Sequence, residues 1–310
     1  MANEVSLATL LTDGGRQAKI LSAMLHKNLM DPQTGLRNLM EFKPLRGPSG
    51  TLNVAKADMA YLAAAASSEV SGGFSNTALT TGNYDLTPAR YSLKMTPTDL
   101  FAMTSVDAPV DRQTIIDALL GSIDQTMAYL MTGLFGSVSG NVGTSGADMT
   151  SDNLFDAIYY LNLQNNPKSL SAVLHNVQVT DLIESMRGET GAIQYRTDIQ
   201  QMLGNPGTAY RATILGVDIY QSNRVRLANS DADRQGCMFS QGAFAYTLGD
   251  VGEILRQQMI PAQNILLQTP EAFIEIDRDA GNALTAFLLN FYPAVAEQED
   301  LRAVKITTDA

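Results

Sequence analysis

The chain has 310 residues, one cysteine, two histidines, no tryptophan and a formal net charge of −11. A lone cysteine excludes a disulfide framework and a thiolate zinc cluster, and two imidazoles nearly exclude a multi-histidine metal site. The acidic balance argues against a protein whose main task is gripping nucleic-acid phosphates, because that affinity comes from clustered Lys and Arg.

Apolar residues make up 45% of the chain, enough for a core spread over two ordinary domains or one elaborate one. The N-terminus, Met1-Ala2-Asn3-Glu4-Val5, lacks the basic start and apolar stretch of a signal peptide. The run Met59 to Ala66 is too short to cross a bilayer, and Ala283 to Ala296 is interrupted by Asn290 and Pro293. These features predict a soluble, intracellularly made protein.

Ile20, Leu21, Met24, Leu25 and Leu29 give an apolar stripe at helical spacing, which ends at Asp31-Pro32 because the residue before proline avoids the helical region. Pro44 and Gly47-Pro48 mark a boundary. Beyond it, Thr51-Leu52-Asn53-Val54 and the stretch Tyr84 to Met95 read as extended. Between them lies Ser67 to Gly82, small and polar, with too little apolar surface to pack against its own chain. An extended hairpin that packs on a neighbouring subunit reconciles these properties.

A long helix follows Asp111, with apolar residues at Ile115, Ile116, Leu119, Leu120, Ile123, Met127, Leu130, Met131, Leu134 and Phe135; residues 111–135 would span about 36 Å. Gly133 and Gly136 loosen its end. From about 150 to 260, helix and strand alternate. Ser151 or Asp152 opens a helix through Leu161, Ala172-Val173-Leu174 is a strand, and Asn176 caps a helix stopped by Gly188. Thr197 to Gln200 reads as a capping box and Asn205-Pro206-Gly207 as a turn. Thr213 to Tyr220 and Gly236 to Leu248 read as strands. Ala272 to Asp277 and Leu284 to Tyr292 form a hairpin around Asp279-Ala280-Gly281-Asn282. The order is an α+β pattern with no internal repeat, not a βαβ sheet.

Candidate chemistry is sparse. His175 is the better of two poor bases for a triad, His26 is weaker, and Ser240-Gln241-Gly242 is not a nucleophile elbow. Cys237 opens a strand and reads as a buried small hydrophobe. Asn229 to Asp233 begins like a calcium loop but has Arg234 and Ser240 where such a loop needs Gly and Glu. Gly140-Asn141-Val142-Gly143 lacks the lysine and hydroxyl residue of a phosphate loop. No catalytic, cofactor-binding or metal-binding residue is therefore assigned, and no cofactor is expected. What stands out is architectural: an arm, a hairpin without a core of its own, and an overlong helix.

That order of elements resembles tailed-phage major capsid proteins of the Hong Kong 97-type fold. The resemblance rests on layout: the descent Tyr84-Asp85-Leu86-Thr87-Pro88-Ala89-Arg90-Tyr91, the exit Leu134-Phe135-Gly136, the strand Ala172 to Asn176 running into a helix, the stretch Thr213 to Ile219 with its central glycine, and Gly236 to Phe244. It implies an N-terminal arm over 1–48 and an extended loop over 49–97. It further implies a peripheral domain over 98–149 and 265–300 with a spine helix, and an axial domain over 150–264 and 301–310. The implied function is a non-enzymatic shell subunit that assembles with itself into hexamers and pentamers around packaged double-stranded DNA, in a virion assembled in the host cytoplasm. Scaffolding, portal and decoration proteins would be further partners, DNA would be held non-specifically, and no membrane is involved. The short arm implies that scaffolding, if required, is a separate protein or residues already removed.

An acidic shell lining would repel the packaged genome and let it leave without sticking. Some members weld their shells by a Lys–Asn bond; Lys56 with Asn282 or Asn290 are the residues so placed, and no pocket motif specifies the reaction. The alternatives are an encapsulin-type compartment, marked by an apolar cargo groove near the arm, a hydrolase using His175, and a tail or decoration protein.

Overall fold

The computed structural model describes residues 36–45, 51–58, 80–97, 112–164, 169–188, 210–258, 264–279 and 284–309. The arm helix around residues 20–29, His26, most of Ser67 to Gly82, the box at 197–200, the turn at 205–207 and Asn282 lie outside them.

The longest element is helix α1 (Arg112–Gly133). Ile115, Leu119, Ile123, Met127 and Met131 recur on one face and are buried, which is why this stretch folds as a helix against a core. The α-helix stops at Gly133 and tightens into a 3-10 turn at Phe135–Ser137, so it spans about 33 Å, slightly less than the sequence suggested. A 3-10 turn at Leu36–Leu39 lies against it, where Arg37 meets Asp124 at 3.4 Å and Glu271 at 2.6 Å. Each fully buried Met or Leu stabilises by about 1.5–3 kcal/mol, whereas an ion pair this exposed contributes about 0–1 kcal/mol. Packing fastens the helix, and the Arg37 pairs add little to it.

The described strands form four sheets. The first pairs strands β2 (Leu52–Asp58) and β3 (Thr80–Leu86), with no third strand among the described residues, so Thr80 to Gly82 belong to a strand rather than to the flexible segment. Tyr84 to Met95 is not one stretch. Pro88 interrupts it, and β4 (Tyr91–Met95) joins a different sheet. That second sheet has the order β12 (Ile265–Gln268), β13 (Ala272–Asp279), β14 (Leu284–Phe291), β4, and its central hairpin is the one read from sequence. A third sheet joins β1 (Glu41–Phe42), β11 (Phe244–Leu248) and β15 (Pro293–Glu297).

The largest sheet runs β5 (Asn141–Val142), β16 (Ala303–Asp309), β10 (Asp233–Ser240), β6 (Leu170–Leu174), β8 (Val217–Gln221), β7 (Tyr210–Ile214), with β9 (Leu227–Ala228) beside β10. Helices α2 (Ser151–Leu163) and α3 (Asn176–Gly188) cover one face, burying Leu154, Leu161, Leu182 and Met186 with Met238, Val304 and Ile306. The other face turns Val173, Cys237 and Phe239 into the core shared with α1. There Phe135, Phe239 and Phe244 contact one another, with ring centroids 5.1–6.4 Å apart. The short helix α4 (Val251–Gln258) follows β11.

Two expected strands are broken by glycine turns. Thr213 to Tyr220 folds as a hairpin because Leu215 and Gly216 both take left-handed backbone (φ 53° and 81°), the geometry of a two-residue turn. Gly236 to Leu248 is split at Gly242 (φ 88°), which sends β10 and β11 into different sheets. Helix α2 opens one residue before the expected caps. Thr150 and Asn153 form a reciprocal capping box, each side chain bonding the other's backbone N–H.

Candidate intersubunit surfaces

The root of the β2–β3 hairpin rests on its own subunit. Leu86 is buried with Ala245 and Ala294, and Leu52, Val54 and Tyr84 pack around them. One pair further out, Ala55 and Asn83 are exposed. An isolated two-stranded ribbon is marginal in water, so packing on Leu86, Ala245 and Ala294 steadies this root.

A polar relay centred on the buried Asn290 fixes the hairpin where it returns to the body. Arg90 donates from Nε and Nη2 to the Asn290 Oδ1 at 3.0 and 2.8 Å, and Asn290 Nδ2 donates to Glu275 Oε1 at 2.8 Å. Asn290 is fully buried, and Ala89 N–H donates to the Pro293 carbonyl alongside it. Both polar ends of the amide are thus occupied within one chain. Of the other residues named for cross-linking, Lys56 lies in β2 opposite Gly82.

His175 is a helix cap. Its Nδ1 accepts from Val177 N–H at 3.2 Å, and its own N–H donates to Gln178 Oε1 at 3.0 Å, so the cap of α3 is His175 and not Asn176. Burial, reinforced by Arg234, lowers its pKa to about 4, so the ring is neutral at pH 7 with its Nδ1 lone pair committed to the cap. Sequence reasoning missed Gln178. This fully buried amide donates to the carbonyls of Arg234 and Ile306 and to Thr308 Oγ1, tying α3 to β10 and β16. The pattern His-x-x-Gln, a capping box with His in the Ser position, was the available signal.

Cys237 is buried and its thiol pKa is pushed up by that burial. Asp233 accepts from Gly146 N–H at 3.0 Å and from Asn229, and these bonds, with Ser145 first among them, lower its pKa. That carboxylate closes a turn. Gly143 (φ 84°) lies so close to β16 that a Cβ would stand 2.4 Å from the Thr307 carbonyl oxygen, so it serves packing, not phosphate binding. Among the described residues no group of three or more His, Cys, Asp or Glu could hold a metal, and no helix is long and apolar enough to cross a membrane.

Beside the segment leaving β1 is a groove of about 740 Å³, lined by Phe42, Pro44, Leu45, Tyr246, Leu248 and Val251, with Asp250 and Glu271 at its polar side.

No known family profile matches the chain, and no curated protein matches it by sequence. Solved structures do match. The capsid of Ralstonia phage GP4 superposes with a TM-score of 0.60 at 12% identity, covering 88% of this chain and 87% of that one. The head structure of Helicobacter pylori bacteriophage KHP40 gives 0.59 at 9% identity, covering 91% of each chain. The holo-SrpI encapsulin complex from Synechococcus elongatus gives 0.55 at 13% identity, covering 90% and 88%. The chain therefore has the α+β, Hong Kong 97-like fold that its layout suggested.

Proposed function

We propose that the chain is the major capsid protein of a tailed double-stranded DNA phage, a non-enzymatic subunit that assembles with itself into the hexamers and pentamers of an icosahedral shell. One observation carries this reading. The capsid fold extends over about nine-tenths of the chain. Residues 98–149 with 265–300 serve as the peripheral domain and 150–264 with 301–310 as the axial domain. The separate core from Met149 to Ile306 beneath α2 and α3 supports the axial unit. Scaffolding, portal and decoration proteins and non-specifically held DNA complete the partners, and the virion is the site of action. The commitment of His175 to a cap counts against the hydrolase alternative.

The test is electron microscopy of the protein expressed alone and concentrated. Uniform closed shells are expected; dispersed monomers at every concentration overturn the proposal. The groove beside β1 favours one second reading, an encapsulin-type compartment, since an apolar cargo groove near the arm is what that alternative requires. Shells isolated from the source would then carry protein cargo instead of nucleic acid.

A further inference from the structure

The segment between β8 and β9 presents two exposed arginines, Arg224 and Arg226, from a fixed backbone. Ser222 is buried and its N–H donates to the Leu174 carbonyl at 2.9 Å. Val225 is buried in the core shared with α1, and the Arg224 carbonyl accepts from Thr132 Oγ1 at 2.8 Å. The two side chains lie along one line of α1, where Gln125, Tyr129 and Gly133 recur every four residues. Arg224 Nη2 donates to Gln125 Oε1 at 2.8 Å, and the Arg226 guanidinium stands 4.6 Å from the Tyr129 ring centroid. Gly133 makes room for it, since a Cβ there would meet Arg226 Nη2 at 2.8 Å.

These neutral partners orient the two cations and leave their charge uncompensated. Among the described residues neither arginine forms an ion pair. The cleft of about 290 Å³ that Arg224 lines, between α1 and β4, has no carboxylate in its wall. Carboxylates on neighbouring elements are bonded elsewhere: Asp124 to Arg37, Glu297 to Ser137, Asp300 to the Ser139 N–H and Asp233 to the Gly146 N–H. Asp231 stands beyond the far end of β9. Two like charges this close repel each other, yet a chain of net charge −11 sets no acid against either.

We propose that Arg224 and Arg226 bind successive phosphates of double-stranded DNA, and that the Gln125–Gly133 line of α1 faces the packaged genome. The inference rests on the shell-subunit reading and names the surface at which that subunit meets nucleic acid. Guanidinium forks match phosphate oxygens, and contacts to the backbone alone carry no sequence preference. The two Cα atoms are at most about 7 Å apart, a step that neighbouring phosphates of one strand match. Carboxylates of a second copy fit less well, because each would have to be immobilised on its own side chain, whereas the phosphates are already in a row.

The experiment titrates a short labelled DNA duplex with the unassembled full chain, read by fluorescence anisotropy between about 20 and 100 mM salt. Two phosphate contacts predict a slope of log affinity against log salt of about −1.8. A chain carrying Arg224→Gln and Arg226→Gln should keep its thermal transition, bind about tenfold more weakly and lose that slope. Arg224→Lys with Arg226→Lys keeps both charges and should stay within about threefold of the native chain. Arg187→Gln, on α3 across the large sheet from α1, should leave binding unchanged. Equal binding by the native and glutamine forms, or equal loss in the lysine and glutamine forms, overturns the proposal. Polyglutamate that displaces the duplex as readily as unlabelled DNA does would assign the surface to acidic protein and overturns it too. Shells that form from a chain that binds no duplex defeat the contact alone. Duplex binding through these arginines by a chain that forms no shell defeats the shell reading and upholds the contact.

Discussion

Replacing Asn290 with alanine tests how the extended hairpin is fastened. The change removes three hydrogen bonds, two from the Arg90 guanidinium and one to the Glu275 carboxylate. Bonds to charged groups each contribute about 1.5–3 kcal/mol, but Arg90 is exposed and regains water when released. Glu275 is half-buried and loses a donor it cannot fully replace. The net expected loss is about 2–4 kcal/mol for Asn290→Ala and, because Arg90 sits at the rim, about 1–2 kcal/mol for Arg90→Ala. Urea denaturation of the unassembled subunit, followed by far-ultraviolet circular dichroism, measures both, and the double variant measures their coupling. Since Asn290 pairs with Ser92 across β14 and β4, amide exchange over Tyr91–Met95 should quicken in the same variants. A loss below about 0.5 kcal/mol for Asn290→Ala, with unchanged exchange in β4, would refute the idea that this relay anchors the hairpin.

His175 predicts a pH dependence. Its folded pKa, about 4, lies below the ordinary 6.5, so the unfolded chain binds the proton more readily between those values. Stability is therefore fully present above pH 6.5 and falls as pH drops toward 4, by on the order of 1–2 kcal/mol after allowance for screening. His175→Asn keeps a capping oxygen and should flatten that segment of a stability–pH profile. Gln178→Leu strips a donor from the buried Ile306 carbonyl and from the half-buried Arg234 carbonyl and should cost about 2–3 kcal/mol by urea denaturation. Gly143→Ala, forced against Thr307, should cost at least about 2 kcal/mol, whereas Gly146→Ala, with the same backbone sign and open space, should cost about 1 kcal/mol.

The elements with a repeating apolar signal were legible from sequence: the long helix from Ile115 to Met131, the strand before His175, and the paired strands β13 and β14. Their cores are built from neighbours in sequence register, so periodicity reports them directly. Partitioning among sheets was not legible. Thr213 to Tyr220 is apolar enough for one strand, and only the left-handed pair Leu215-Gly216 folds it back. Likewise Gly236 to Leu248 is continuous in hydropathy, yet Gly242 divides it between two sheets. The relay Arg90–Asn290–Glu275 joins residues 200 positions apart, and no local pattern announces such a contact.

The central claim is that this chain completes its hairpin only against copies of itself. Hydrogen exchange over Ala55–Asp58 and Thr80–Asn83 tests it most directly, compared between dissociated subunits and assembled particles. Rapid exchange in the free subunit with at least about a hundredfold slowing on assembly is the expected result. Equal, slow exchange in both states would show that these strands are already stable within one subunit, and would contradict the account.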